Sequence, residues 1–232
     1  MKITERLVRT HSLLGDAAME RLAEAHVLLL GLGGVGGHAF EALVRSGVGH
    51  LSLVDFDTVA ESNINRQILA DATTVGRLKT EGARERASRI STDVKITLHS
   101  DRLEASGVEA LLAEAHPDLV LDAIDDVPVK VALAVAAVRR EIPILTCLGT
   151  GNRLDPTALT VTDIAKTEGC PLARAVRTRL RREGICHLPV VYSREPALVP
   201  SGETRVGSLA TVPAAAGLLM AAEAIRRLTE VQ

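Results

Sequence analysis

Between Leu28 and Asp57 the chain reads LLLGLGGVGGHAFEALVRSGVGHLSLVDFD: an apolar run, a glycine-rich turn, a helical stretch, then a second apolar run closing on two carboxylates. Few folds accept that order. Gly31, Gly33 and Gly36, with Gly34 between them, have the G-x-G-x-x-G spacing. In it the first glycines allow a tight strand-to-helix turn and close backbone approach, and the last lets the helix pack near the strand. Phosphate oxygens then meet free N–H groups at the helix start. Asp55 follows Gly36 at nearly the spacing of about 20 residues expected of the acid that accepts ribose hydroxyls. The pattern predicts an adenosine phosphate pocket; a strand-to-helix turn whose glycines serve packing only is the plain alternative.

Strand-like runs at Val27–Leu30, Leu51–Val54, Val94–Leu98, Leu119–Leu121 and Ile142–Thr146 alternate with helical patterns near Gly37–Ser46, Arg77–Ser91, Gly107–Ala115 and Val129–Arg140. Such alternation predicts an α/β protein with a Rossmann-like, doubly wound, mainly parallel sheet. Continuously apolar strands such as HVLLL and DLVLD agree, since parallel strands are covered on both faces. After Pro156 the character changes. ALTVTDIAKT reads as a strand, CPLARAVRTRLRREGI as a basic helix, LPVVYSREPALVPSGE as a strand running into a Pro/Gly loop, and Ser208–Leu228 as a closing helix whose Arg226 and Arg227 suit the negative end of its dipole. With 232 residues, a single domain with an elaborated second half is expected, split near residue 150.

The net charge of −2 argues against a global field for nucleic acid, so any basic surface must be local. One Tyr, two Phe and no Trp leave too few rings for a base-stacking platform. Cys147, Cys170 and Cys186 form no C-x-x-C pair, which supports neither zinc nor a disulfide framework and fits a reducing cytoplasm. Cys170 precedes Pro171 at a helix start, where a thiol pKa can fall; a small buried or incidental cysteine is the commoner case. The charged N-terminus lacks the apolar core of a signal peptide. Val206–Ala222 is uncharged, but Gly207, Pro213 and Gly217 interrupt it and it is shorter than the roughly 20 residues of a span, so a buried helix and no membrane association are expected.

A nicotinamide dehydrogenase would share the glycine turn and Asp55. The stretch after the second strand, however, is more polar than NAD requires. Asp55, Asp57, Asn63, Asn65, Arg66, Gln67 and Lys79 fall just beyond the carboxyl end of a strand, where ligands bind in open α/β sheets. Arg66 and Lys79 can neutralise β- and γ-phosphates. In DAIDDVPVK, the carboxylates Asp122, Asp125 and Asp126 reach the same switch point and could hold Mg²⁺, which takes one or two carboxylates with phosphate oxygens. Asp126, ahead of Pro128, fits a helix N-cap equally well.

The series GLGGVG, DFDTVAESNINRQ, GRLK and DAIDD resembles, in order and spacing over residues 1 to 150, the ATP-binding half of the ubiquitin-activating-enzyme-like adenylyltransferases. The resemblance implies that Gly31, Gly33 and Gly36 line the phosphates, Asp55 holds the ribose, Asn63, Arg66 and Lys79 contact phosphate, and Asp125 carries Mg²⁺. It also implies attack by a substrate carboxylate on the α-phosphorus of ATP, with Arg66, Lys79 and Asp125 as the catalytic set. Positioning and charge neutralisation then do most of the work, and the attacking carboxylate needs no general base because it is ionised at neutral pH. Arg6 and Arg9 stand where family members supply an arginine to the partner subunit's active site; exposed arginines with no such role are the alternative.

The second half, through LDPTALTVTDIAKTEGCPLARAVRTRLRREGI, VVYSREPAL and GSLATVPAAAGLLMAAEAI, is similar to one branch, the tRNA threonylcarbamoyladenosine dehydratases. That likeness implies activation of the threonylcarbamoyl carboxylate beside a tRNA anticodon, followed by ring closure, in a cytoplasmic homodimer. Arg174, Arg177, Arg179, Arg181 and Arg182 on one helix are a local basic surface of the kind that contacts phosphates, although a merely solvated helix has the same composition. Tyr192, Ser193 and Glu195 belong to the branch-like segment and are expected to frame a substrate pocket. The apolar C-terminal helix is expected to close an isologous interface. Activation of a sulfur-carrier or ubiquitin-like protein, a nicotinamide oxidoreductase and a non-catalytic nucleotide-binding module stay open as alternatives, as does a sulfur-transfer partner.

Overall fold

The computed structural model describes residues 4–198 and 206–231. A seven-stranded sheet runs in the order β3-β2-β1-β4-β5-β7-β6. Its strands are β1 (His26–Leu30), β2 (His50–Val54), β3 (Lys95–His99), β4 (Leu119–Asp122), β5 (Ile144–Cys147), β6 (Leu159–Asp163) and β7 (Pro189–Ser193). Every pairing is parallel except β6 with β7, which closes one edge antiparallel. The doubly wound, mainly parallel sheet expected from the sequence is therefore present, and β1 and β4 at its centre put the switch point between them. The Val27–Leu30, Leu119–Leu121 and Leu145 side chains are fully or almost fully buried, as strands covered on both faces must be.

Helices α1 (Val8–Leu14) and α2 (Asp16–Glu24) precede the sheet, and α3 (Gly36–Ser46), α4 (Lys79–Ile90), α5 (Val108–Ala115), α6 (Val127–Arg139), α7 (Pro171–Arg182) and α8 (Thr211–Thr229) flank it. The N-terminal pair is not evident as helices in so charged a segment; Leu7, Met19 and Leu22 nonetheless bury completely or nearly so under the first core. One apolar core joins α2, α3 and α8 to one face of the sheet, the other joins α5, α6 and α7 to the opposite face. Of the expected Pro/Gly loop after β7, residues 199–203 lie outside the described residues.

α8 is the buried helix that its uncharged sequence implies. Gly217 lies against α3 so tightly that a Cβ there would sit 2.2 Å from the Val35 carbonyl oxygen. Its apolar residues Val212, Ala216, Met220, Ala221 and Ala224 are taken up inside the chain's own core, while Leu218 stays exposed on the helix's outer side. Among the described residues no helix is long and apolar enough to cross a membrane.

Candidate active site

The glycine turn leaves β1 and opens α3. Gly31 has φ +87°, and a Cβ there would lie 2.7 Å from the Ala123 carbonyl oxygen on the neighbouring β4 loop, so a side chain is excluded on two grounds. A Cβ on Gly36 would fall 1.8 Å from the Gly31 carbonyl oxygen, the close helix–strand approach the third glycine provides. A Cβ on Gly34 would lie 3.1 Å from Pro213 Cβ of α8, whereas one on Gly33 would meet nothing nearer than Nε2 of Gln67 at 3.8 Å. Gly33 thus marks the open side of the turn. Oε1 of Gln67 is buried there with no hydrogen-bond partner, a polar atom awaiting one.

Asp55 closes β2 beneath this turn. Its carboxylate accepts from the Leu32 N–H at 2.7 Å and from the Asp57 N–H at 2.9 Å, and it is 8% exposed. One oxygen therefore braces the turn itself. Lys79, the first residue of α4 and 5% exposed, places Nζ 2.6 Å from Asp57 Oδ2 and 3.7 Å from Asp55 Oδ2. A desolvated ammonium between two carboxylates is poised to exchange one for a phosphate oxygen. The segment between holds Asn63, whose Oδ1 accepts from the Ala60 N–H, and half-buried Arg66, whose guanidinium donates to the Ser62 carbonyl at 2.7 Å and to Asn65 Oδ1 at 2.9 Å. Asn65 in turn donates to the Ser208 carbonyl, tying this loop to the approach to α8.

The three carboxylates of DAIDD part company, and here the structure corrects the expectation from sequence. Asp122 is fully buried and pairs with fully buried Lys130 at 2.8 Å, while Lys130 also donates to the Cys147 carbonyl. Burial pushes the Asp122 carboxyl pKa up, and Lys130 opposes that shift. Asp122 is a core ion pair and not a metal ligand. Asp126 is the N-cap of α6, accepting from the Val129 N–H at 3.0 Å. Asp125 is exposed and, alone of the three, has no hydrogen bond or ion pair within the described residues. Among the described residues no group of three or more metal-ligating side chains exists. One free carboxylate fits Mg²⁺ that arrives with a nucleotide, since that ion needs only one or two protein carboxylates beside phosphate oxygens.

The remaining candidates divide. Arg6 forms an ion pair with Asp93, at the sheet end opposite the glycine turn, while Arg9 is exposed and unpaired among the described residues. Tyr192 and Ser193 are buried, and the Glu195 carboxylate accepts from the Leu154 and Asp155 N–H groups. Glu195 thus holds the β5–β6 loop, Ser193 Oγ accepts from the Glu195 N–H, and the Tyr192 hydroxyl accepts from the Glu168 N–H ahead of α7. On α7, Arg177 turns inward and donates to Thr167 Oγ1 and to the Thr167 carbonyl; Arg174, Arg179, Arg181 and Arg182 are exposed with no acidic partner among the described residues. A surface depression of roughly 740 Å³ lies along this helix from Thr167 to Arg182. Cys170 caps α7, its Sγ accepting from the Ala173 N–H; Cys147 is buried, which pushes its thiol pKa up to about 12; Cys186 is exposed. Arg153, on the β5–β6 loop, is 3% exposed, and its sequence gives no sign of this because it reads as one arginine in a polar stretch.

A mainly parallel α/β sheet whose glycine turn is braced by Asp55, with Arg66, Lys79 and an unpartnered Asp125 near the carboxyl ends of its strands, is the architecture of a nucleotide-binding protein. The chain belongs to the ThiF family, whose sequence profile matches residues 4–232. It is 36% identical over 210 residues to the Escherichia coli tRNA threonylcarbamoyladenosine dehydratase, covering 87% of this chain and 78% of that protein. To the Bacillus subtilis protein of the same name it is 35% identical over 237 residues, covering 95% and 93%. The crystal structure of the Escherichia coli tRNA N6-threonylcarbamoyladenosine dehydratase in complex with ATP superposes with a TM-score of 0.92 at 34% identity, covering 99% of this chain and 98% of that one. Likeness to the Escherichia coli molybdopterin-synthase adenylyltransferase, 41% identical, extends over only 127 residues, 55% of this chain.

Proposed function

We propose that the protein is an ATP-dependent tRNA threonylcarbamoyladenosine dehydratase. The observation that carries this reading is the reach of the likeness. Relatives with that activity in their names match 87% and 95% of the chain, whereas the likeness to the molybdopterin-synthase adenylyltransferase covers 55% of it. An ATP-bound relative of the same shape favours ATP over a nicotinamide cofactor.

In this reading the peptide N–H groups at the start of α3, opened by Gly33 and Gly34, meet the phosphates, and Asp55 takes the ribose while bracing the turn through Leu32. Arg66 and Lys79 leave their present carbonyl and carboxylate partners for phosphate oxygens, and Asn63 shapes the loop between them. Asp125 is the residue that would hold Mg²⁺, and that ion would supply charge neutralisation on the departing pyrophosphate. A carboxylate oxygen of the threonylcarbamoyl group attacks the α-phosphorus, the bond to the bridging oxygen breaks, and pyrophosphate leaves with the electron pair. A nucleophilic atom of the carbamoyl group then attacks the activated carbonyl and gives up its proton to solvent, and AMP leaves with the oxygen that would otherwise have departed as water. Phosphates of the anticodon arm lie along α7 on Arg174, Arg179, Arg181 and Arg182. We place the reaction in the cytoplasm, in a homodimer whose second copy brings Arg9 to the site; Arg6 is the weaker candidate because Asp93 holds it.

The test is mass spectrometry of nucleosides from threonylcarbamoyl-modified tRNA incubated with the protein and Mg²⁺, with and without ATP, under mild digestion. The expected result is an ATP-dependent loss of one water from the modified adenosine. An unchanged nucleoside, where a known dehydratase converts it, would turn the assignment toward a protein carboxylate.

A further inference from the structure

Arg153 is a nearly fully buried cation with no anion beside it among the described residues. Its Nε donates to the Glu195 carbonyl at 3.0 Å and its Nη1 to the Gly151 carbonyl at 3.0 Å, while Nη2 is buried with no partner. No carboxylate lies within ion-pair distance among the described residues. Of the two acids nearby, Glu195 has its carboxylate on the backbone amides of Leu154 and Asp155, and Asp155 holds the amide and hydroxyl of Thr157. A guanidinium has five N–H donors in a planar fork, and the most exacting part of this one is unused. Burying an uncompensated charge costs several kcal/mol, so such a group persists where something else recovers the loss.

Its position says what that is. Arg153 stands on the loop that leaves the carboxyl end of β5, beside the end of β7, on the substrate side of the switch point. A Cβ on Gly149 would lie 3.3 Å from Cys170 Sγ, closer than a side chain there readily tolerates, and 3.9 Å from Arg153 Nη1, so this glycine lets the loop pass tightly between Cys170 and the guanidinium. Cys170 is capped onto α7, so the basic helix and the loop meet at this point.

We propose that Arg153 recognises the carboxylate of the substrate, the free end of its fork closing on the two oxygens before one of them attacks ATP. This rests on the dehydratase reading above and assigns within it the group that distinguishes an acid from a neutral analogue. Because the pairing is strongest in the ground state and weakens once the carboxylate becomes a neutral acyl phosphate, loss of the arginine is expected in KM more than in kcat.

The experiment measures binding of an anticodon stem-loop RNA carrying threonylcarbamoyladenosine, and of the same RNA as its methyl ester, to the full-length protein, alongside ATP affinity and melting temperature. The wild-type protein is expected to bind the acid at least about tenfold more tightly than the ester, as a charge-assisted bidentate pair implies. R153Q should bring the ratio close to one with ATP affinity unchanged, and R153K, which keeps the charge, should recover part of it. A purely structural arginine would instead lower the melting temperature in both variants and leave the acid-to-ester ratio intact, and that ratio intact in R153Q overturns the proposal. Should R153Q fold poorly, R153K decides: loss of the acid preference no greater than the loss of ester binding also overturns it. A wild-type protein that binds neither RNA and converts neither brings down the dehydratase reading itself; one that converts the RNA without preferring the acid brings down only this assignment.

Discussion

Asp125 and Lys130, five residues apart, illustrate how alike two charges look in sequence and how differently they act. Asp125 faces solvent with no partner among the described residues, so Asp125→Asn removes one charge from the loop after β4, where we propose the nucleotide binds, without disturbing the packing. Turnover should fall by at least about 100-fold, the scale of losing one charge-stabilising group, with the melting temperature unchanged. Steady-state cyclisation and thermal denaturation check this together, and full activity in the variant would remove Asp125 from the site. Lys130 is fully buried and neutralises Asp122 beneath the same loop. Lys130→Met leaves a carboxylate alone in the core, which should cost roughly 3 kcal/mol or more in chemical denaturation. Replacing both, as Asp122→Leu with Lys130→Met, should recover most of that loss, and a double variant no better than the single would show that the pair does more than cancel its own burial. The glycine turn, Asp55 and the alternating strands and helices can be read directly, because each follows from local spacing. Lys130 cannot: in VPVKVAL it resembles a surface charge on an apolar helix, and only the approach of β4 and β5 shows what it meets.

At the scale of elements, α8 is held by a close approach that no helix propensity predicts. Alanine is normally about 1 kcal/mol better than glycine in a helix interior. Gly217→Ala should nevertheless destabilise, because the new methyl would sit 2.2 Å from the Val35 carbonyl oxygen and 3.0 Å from the Ala39 nitrogen on α3. The helices must part, at a cost of about 1–3 kcal/mol for overpacking. Since Val35 caps α3 at the end of the glycine turn, ATP affinity should fall with stability, and titration with ATP beside a denaturation curve measures both. A more stable variant would mean that α3 and α8 have room to spare. α7 answers to a different rule. Its buried stripe, Ala173, Val176 and Leu180, is visible at helical spacing, whereas only the bonds of Arg177 to Thr167 separate that arginine from the others. Reversing Arg174 and Arg181 to Glu should weaken tRNA binding and flatten its salt dependence by about 0.7–0.9 in log–log slope for each phosphate no longer neutralised, whereas an unchanged slope would return α7 to a solvated helix.

For the whole molecule, the two ends of the sheet have separate tasks, and that separation can be measured by pH. The glycine turn, Asp55, Lys79 and Asp125 gather at the carboxyl ends of the strands. At the opposite end His26 and His50, paired in register on β1 and β2, stack with ring centroids 3.6 Å apart and planes 10° apart. Each bonds a hydroxyl of the next strand, Ser52 and Thr97. Burial, reinforced by the facing His26 and by Lys95, lowers the His50 pKa from 6.5 to about 4, and burial lowers that of His26 as well. Both rings therefore stay neutral in the fold at a pH where the unfolded chain would begin to protonate them. Their stabilisation is complete above pH 6.5 and is lost as pH falls below it, for His50 down to about 4, because the unfolded state binds the extra protons. Glu41 acts in a lower window: burial would raise its carboxyl pKa, but Arg86 and Arg45 outweigh that and lower it from 4.5, so its contribution is lost only as pH falls below that value. Between pH 6.5 and 4.5 the two histidines thus steepen the fall in stability. Replacing both with Gln should lower the melting temperature at pH 7.5 slightly, through lost packing, and should make the fall between pH 6.5 and 5 shallower than in the wild-type protein. ATP binding at neutral pH should be unaffected, since the stack lies at the far end of β1 from Gly31. Equal slopes in the two proteins would locate the acid-sensitive groups elsewhere, and a loss of ATP affinity would show that the two ends of the sheet are coupled.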